Sequence, residues 1–342
     1  MERIKNICKV LIPIFIYYSF SISITFYNKR IINYFNFPLL ITYLHTFTKF
    51  ILTLIYRKFC LKPSSTSYKN IEWITYVKYV SLCGVSAALD IGLSNWSFEF
   101  ITIALYTMTK STSIIFVAIF AVGFEIEKKR PAIFLVAILI SVGLFCFSYS
   151  STNFSIYGFS LVLMASILSG IRWTLVQLLL QKDTLKGLDP LELLFYLQPW
   201  MSLTIFPIGF SFENELLISY RQLFRPDSYH ILITSCLSLL FGAFLAFGLD
   251  LSEFTVVKIH SSLTFSVSSI IKEIIMIIAS SIINGDHLTA MNVTGFFLCI
   301  AGTSVHMYDR WSLKNQKSNS GPKYVPLEKI DDTTSDIDSI KD

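Results

Sequence analysis

Ala104-Leu-Tyr-Thr-Met-Thr-Lys110-Ser-Thr-Ser-Ile-Ile-Phe-Val-Ala-Ile-Phe-Ala-Val-Gly-Phe124 is too long and too apolar for a soluble core helix, yet it carries a lysine far from either end. At about 1.5 Å of rise per residue, Lys110 lies roughly 16 Å along a helix from Glu99 and roughly 22 Å from Glu125. That is too deep for easy snorkelling, and an unpaired charge at mid-bilayer costs at least about 3 kcal/mol. Lys110 therefore either pairs with a carboxylate or carbonyls of a neighbouring helix or marks a functional site, and an intramembrane ionisable group is read first as functional. Lys272 occupies a second stretch of the same kind.

Composition agrees. Of 342 residues, 53% are hydrophobic and 15% charged, and the mean hydropathy is +0.59. Soluble domains carry nearer a quarter of charged residues, so the chain reads as a multi-spanning membrane protein whose first partner is the lipid bilayer. The net charge of +5 is spread along short loops, which argues against a nucleic-acid face. The six cysteines show no Cys-x-x-Cys and no histidine at ligand spacing. They imply neither a disulfide framework nor a metal site.

Outward from the quoted stretch, windows of roughly 17 to 25 apolar residues fall at 10–26, 38–57, 73–97, 101–124 and 131–149, then at 156–181, 190–211, 229–250, 256–283 and 288–308. The expected fold is an all-α integral membrane protein of ten transmembrane helices. No small-x-small cleavage site follows the first window, so it is read as an uncleaved helix. Ten crossings put both termini on one side, and lysine and arginine decide which. Arg3, Lys5, Lys9, Arg57, Lys58, Lys62, Lys69, Lys128, Lys129, Arg130, Lys182 and Lys186 share one face, against Lys29, Arg30, Arg221 and Arg225 on the other. Both termini are expected to be cytoplasmic. The sequon Asn153-Phe-Ser155 then falls on the opposite side, as an acceptor for glycosylation.

An odd number of crossings per half forces equivalent helices into opposite orientations, the inverted-repeat plan of many transporters. The chain accordingly divides into repeat 1 (1–149), repeat 2 (150–308) and a polar tail (309–342) too poor in apolar residues to fold alone. The residues echo this plan. Gly143 precedes Tyr149 by six positions as Gly302 precedes Tyr308, and Lys110 precedes Glu125 by fifteen as Lys272 precedes Asp286 by fourteen. Lys110 and Lys272 would then meet at the repeat interface in a positive pocket suited to an anion, phosphate first of all. Hydroxyls cluster around both, with Tyr106, Thr107, Thr109 and Ser111 beside Lys110, and Ser261, Ser262, Thr264, Ser266, Ser268 and Ser269 near Lys272. They serve either as donors to phosphate and sugar oxygens or as small residues for helix packing. Lys49, Lys78, Asp90, Arg172, Asp250, Glu253 and Glu273 are further charges in apolar surroundings, and some must neutralise one another. There is no Gly-x-x-x-x-Gly-Lys-Ser/Thr loop, no Gly-x-Ser-x-Gly and no His-Glu-x-x-His. The chain is therefore not read as an enzyme, and no catalytic residue, metal or cofactor is assigned.

Several stretches carry a family resemblance: Asp90-Ile-Gly-Leu-Ser-Asn95, Leu105-Tyr-Thr-Met-Thr-Lys110-Ser, Gly170-Ile-Arg-Trp-Thr174, Leu197-Gln-Pro199, and Leu263-Thr-Phe-Ser266 ahead of Lys272-Glu273. They resemble the drug/metabolite transporter superfamily and, within it, the nucleotide-sugar and triose-phosphate transporters of solute carrier family 35. The nearest likeness is to the GDP-fucose-transporter-like subgroup called member C2. The resemblance implies an antiporter in the Golgi or the ER-Golgi intermediate compartment that exchanges a nucleotide sugar, GDP-fucose by preference, for a nucleoside monophosphate in support of lumenal fucosylation. It places the phosphate-contacting lysines on Lys110 and Lys272 and a hydroxyl contact on Ser94. With Asn95, Tyr106, Thr107 and Thr264 these make the expected substrate-binding set. Departures also stand out. Plastid phosphate translocators follow the second lysine with arginine where this chain has Glu273, and their histidine and tyrosine fall on Ile91 and Leu249. Two other functions remain open, an organic-phosphate/phosphate antiporter and a non-transporting membrane scaffold that regulates glycosylation. A homodimer is compatible with the sequence but not specified by it.

Overall fold

The structure is a computed structural model that describes residues 2–59, 73, 76–124, 131–149, 154–181, 189–219, 229–259, 262–284 and 289–319. Among these residues every regular element is helical and there is no strand. In chain order the helices are α1 (Glu2–Phe35), α2 (Pro38–Phe59), α3 (Tyr76–Ser97), α4 (Ile103–Gly123), α5 (Pro131–Tyr149), α6 (Ile156–Gln181), α7 (Pro190–Ser219), α8 (Tyr229–Ile259), α9 (Ser262–Asn284) and α10 (Ala290–Asn319). Six of them, α2, α3, α4, α6, α7 and α8, are long and apolar enough among the described residues to cross a membrane. In α10 the apolar part, Ala290–Val305, is shorter, and the helix runs on to Asn319, past the boundary expected at 308. Asn153 lies outside the described residues.

The outer surface is apolar and the interior partly charged, the reverse of a soluble domain. Phe15, Leu203, Phe212 and Ile282 are all more than 60% exposed, whereas Lys49, Asp90, Asp250 and Glu253 are buried. That distribution suits lipid outside and a polar path within.

Local chemistry sets the helix ends. Asn36 adopts φ 55° between α1 and α2, a left-handed position that asparagine tolerates at a helix C-terminus. Its N–H donates to Ile32 O at 2.7 Å, and Pro38 then opens α2 without wasting a donor. The first turn of α2 still has orphan N–H groups. Glu213 of α7 takes two of them, accepting from Leu39 N at 2.7 Å and Leu40 N at 2.8 Å. Glu213→Ala is expected to cost about 1–3 kcal/mol for the donors left unsatisfied. It should show as a lower unfolding temperature in detergent, with Glu213→Gln recovering part of the loss.

The helices pack in a definite set of pairs. α5 lies along α10, α3 along α6, α2 along α7 and α1 along α8, while α3 also meets α7 and α8 also meets α2. Close approach needs glycine at two points of the α5–α10 seam. A Cβ on Gly143 would sit 2.6 Å from Gly295 O, and one on Gly302 would sit 2.9 Å from Ile140 Cγ1.

α4 is broken just after Lys110. Its halves, Ile103–Ser111 and Ser113–Gly123, join at Thr112, whose hydroxyl donates to Thr109 O at 2.7 Å. Thr107, Thr109 and Ser111 likewise donate to Ile103 O, Leu105 O and Met108 O. Hydroxyls that bond back to their own helix compete with the ladder and bend it. The run of Ser and Thr that reads as a set of substrate donors is, in the structure, spent largely on shaping the helix that presents Lys110.

Candidate functional site

A cavity of about 270 Å³ lies inside the bundle, with walls drawn from α1, α2, α3, α4, α6, α8 and α9. Of the expected site residues, Ser94, Asn95, Tyr106, Thr107, Lys110 and Lys272 all line it. Thr264 falls on α9, but its side chain is outside the described ones.

Lys110 reaches from the bend of α4 to Asp90 on α3, donating to Asp90 Oδ1 and, at 2.9 Å, to Ser94 Oγ. The other carboxylate oxygen, Asp90 Oδ2, is 3.1 Å from Arg172 Nε of α6. Arg172 in turn lies over the ring of Trp173, with Cζ 4.6 Å from its centroid. One buried carboxylate thus holds two cations from different helices. Across the cavity Lys49 of α2 pairs with Asp250 of α8 at 2.6 Å. Lys272 of α9 bonds the Tyr17 hydroxyl with Nζ 5.6 Å from the Tyr17 ring centroid, and Glu253 and Glu273 are near enough to act on its charge.

The sequence leads one to expect a positive pocket. The structure instead faces Lys49, Lys110, Arg172 and Lys272 with Asp90, Asp250, Glu253 and Glu273, so the formal charges balance. The physical reason is the cost of burying an ion without a partner, several kcal/mol even after relaxation. Arg172, Lys49, Asp250 and Glu253 are site residues that the sequence marks only as charges in apolar windows. Their pairing is a matter of which helices touch. Lys78, expected among the buried charges, is exposed at the start of α3 with Nζ 5.3 Å from the Tyr79 ring.

Asn95 and Tyr106 serve the wall more than the cavity. Asn95 Nδ2 donates to Thr42 Oγ1 at 2.8 Å and its Oδ1 accepts from Asn28 Nδ2 at 3.2 Å, which ties α3 to α2 and α1. The Tyr106 ring packs on Phe98 at 4.5 Å. Beyond these residues lies a second hollow of about 1,150 Å³, lined by Lys29, Arg30, Glu99, Thr102 and Ser155 among others. Lys29 donates there to Phe98 O and, at 2.9 Å, to Ile101 O, capping the end of α3. Burial pushes the Glu99 carboxyl above its usual range, against a Trp96 hydrogen bond and the Lys29 charge, which both pull it down.

No group of three or more His, Cys, Asp or Glu among the described residues is arranged to hold a metal ion. The arrangement can bind an anion by exchanging carboxylate partners for phosphate oxygens at Lys110 and Arg172, with Lys49 and Lys272 on the facing walls.

Comparison with known proteins points the same way. Residues 8–309 match the Triose-phosphate Transporter family. The chain is similar to a probable sugar phosphate/phosphate translocator of Arabidopsis thaliana, at 29% identity over 96% of this chain and 82% of that protein. A second Arabidopsis protein of the same description is 28% identical over 92% of this chain and 83% of its own length. A putative nucleotide-sugar transporter of Saccharomyces cerevisiae is 26% identical over 87% and 84%. These relatives are described as transporters, not enzymes.

Proposed function

The chain belongs to the Triose-phosphate Transporter family, and from that membership we propose that it is a multi-pass carrier exchanging a sugar phosphate for another phosphate anion. The observation that carries this reading is the cluster Asp90, Lys110 and Arg172 on the wall of an internal cavity. Two cations there share one carboxylate, so a phosphate group offering more oxygens and more charge can take them over. Cavity size favours the smaller substrate. At about 270 Å³ it falls just below the roughly 300–1,000 Å³ of small-molecule sites.

A nucleotide sugar, GDP-fucose against GMP, is the second reading, and one feature favours it. Trp173, beneath the Arg172 guanidinium, gives the cavity an aromatic edge against which a base can pack, while Glu253 and Glu273 in the same cavity offer acceptors for ribose and sugar hydroxyls.

Transport is proposed to proceed by alternating access of two inverted five-helix halves in a ten-span fold. The packing supports it, because exchanging α1–α5 for α6–α10 turns the α3–α6 contact into α8–α1 and the α3–α7 contact into α8–α2. The Lys49–Asp250 and Asp90–Arg172 pairs both join one half to the other. Both termini are proposed to face the cytosol on the lysine and arginine asymmetry, and early secretory membranes are proposed on the strength of the family resemblance.

The test is a ligand panel on purified protein. Triose and hexose phosphates are expected to raise its unfolding temperature at lower concentration than GDP-fucose or GMP. The reverse order would establish the nucleotide reading, and no response to any phosphate compound would refute both. A fluorescent fusion that stays out of early secretory membranes would refute the placement.

A further inference from the structure

We propose that Asp90 is a built-in counter-anion, which competes with substrate phosphate for Lys110 and Arg172 and lets the carrier reorient without cargo. The inference rests on the organic-phosphate reading of the cavity and goes beyond it, since it concerns how tightly exchange is coupled.

Asp90 is 1% exposed, and its two oxygens are divided between two cations on different helices. Oδ1 accepts from Lys110 of α4, and Oδ2 faces Arg172 of α6 at 3.1 Å. The buried neighbours of Asp90 on its own face of α3 are uncharged and small, Ser86, Ala87 and Ser94. Its position is explained by the cations.

A carrier turns its site from one side to the other through a state closed to both, in which the site is cut off from bulk water. Cations without partners make that passage costly, because a desolvated unpaired charge is penalised by several kcal/mol. A carrier with such a site crosses readily only when an anion is bound, and is therefore a strict exchanger. Here Asp90 supplies the anion from the protein itself, so the passage is open with or without cargo.

The same carboxylate has a second effect when phosphate enters. The incoming dianion takes Lys110 and Arg172, and Asp90 is left buried beside a like charge. Repulsion between neighbouring buried anions is a strong opposing force, so Asp90 weakens phosphate binding at the site it completes. Affinity and coupling are set by one residue and move together.

Asp90→Asn keeps the shape and one acceptor oxygen but removes the charge. Two readouts separate the proposal from a purely structural role. The first is binding of inorganic phosphate to purified wild-type and Asp90→Asn protein, followed by calorimetry. The variant is expected to bind about tenfold or more tightly, one unit of like-charge repulsion removed. The second is transport in vesicles loaded with labelled hexose phosphate, by the wild type first and then by the variant. Efflux into phosphate-free buffer is expected to reach a substantial fraction of the efflux into buffer containing phosphate. In Asp90→Asn that fraction should fall at least fivefold, roughly the effect of about 1 kcal/mol on the barrier.

Equal or weaker phosphate binding by a folded Asp90→Asn protein would overturn the proposal. So would wild-type efflux that stops entirely without external phosphate, a result that does not depend on the variant folding. If inorganic phosphate binds neither protein, the organic-phosphate reading fails and this proposal falls with it. Tight wild-type binding with strict exchange would remove only the role of Asp90.

Discussion

Lys110→Ala is expected to lower exchange by at least about 100-fold while the protein still folds and reaches its membrane, and Lys272→Ala is expected to do the same. The size follows from what each lysine contributes. Removing a cation that partners a buried anion costs about 3–5 kcal/mol, and every 1.4 kcal/mol is a factor of ten in an equilibrium constant. For Lys110 the loss falls on bound phosphate, because the Arg172 charge still faces Asp90 at 3.1 Å when the lysine is gone. Folding is thus spared more than transport. Lys272 differs in that it bonds Tyr17 and faces Glu253 and Glu273. Its removal leaves two carboxylates without their shared cation, and some loss of stability should accompany the loss of exchange. Labelled hexose phosphate uptake by reconstituted variants, normalised to folded protein, measures both. Normal exchange by both variants would place the substrate elsewhere.

The largest effect on stability is expected at the second pair. Asp250→Ala leaves Lys49 buried opposite nothing, where the two now meet at 2.6 Å, and is expected to destabilise by about 3–5 kcal/mol. Because the pair is desolvated, its absolute worth is small even though breaking it is costly. Replacing both partners with apolar residues of similar size, Lys49→Met with Asp250→Leu, should recover most of the loss. Unfolding midpoints of Lys49→Met, Asp250→Leu and the double variant, beside the wild type, close the cycle. If the double variant is no more stable than Asp250→Ala, the pair does not act as a unit.

How much of this was legible in the residues differs from feature to feature. Helical, membrane-spanning character was plain in the stretch around Lys110, because length and composition alone decide whether a segment tolerates lipid. Lys110 and Lys272 stood out as deep charges, and they do line one cavity. What could not be read was the partner of each charge. Asp90 precedes Lys110 by twenty positions, but Arg172 comes to it from α6 and Lys49 finds Asp250 across 201 positions. Such pairings depend on which helices lie side by side, and apolar periodicity in a membrane segment reports little about that when lipid and core are equally apolar. The hydroxyls stayed open to two readings for a related reason. A threonine in a helix bonds back to the carbonyl four residues before it ahead of any ligand, as Thr107 does with Ile103 O at 2.8 Å. Asn95 carried the resemblance well, yet in the structure its amide is committed to Thr42 and Asn28.

The most direct measurement is counter-exchange by the purified protein in vesicles loaded with inorganic phosphate, with labelled triose or hexose phosphate outside and GDP-fucose against GMP run in parallel. Sugar phosphate uptake is expected to be accelerated by internal phosphate and to fall at least about 100-fold in Lys110→Ala. No exchange with any pair, from protein shown to be folded, would contradict that expectation and leave a membrane scaffold as the reading that fits.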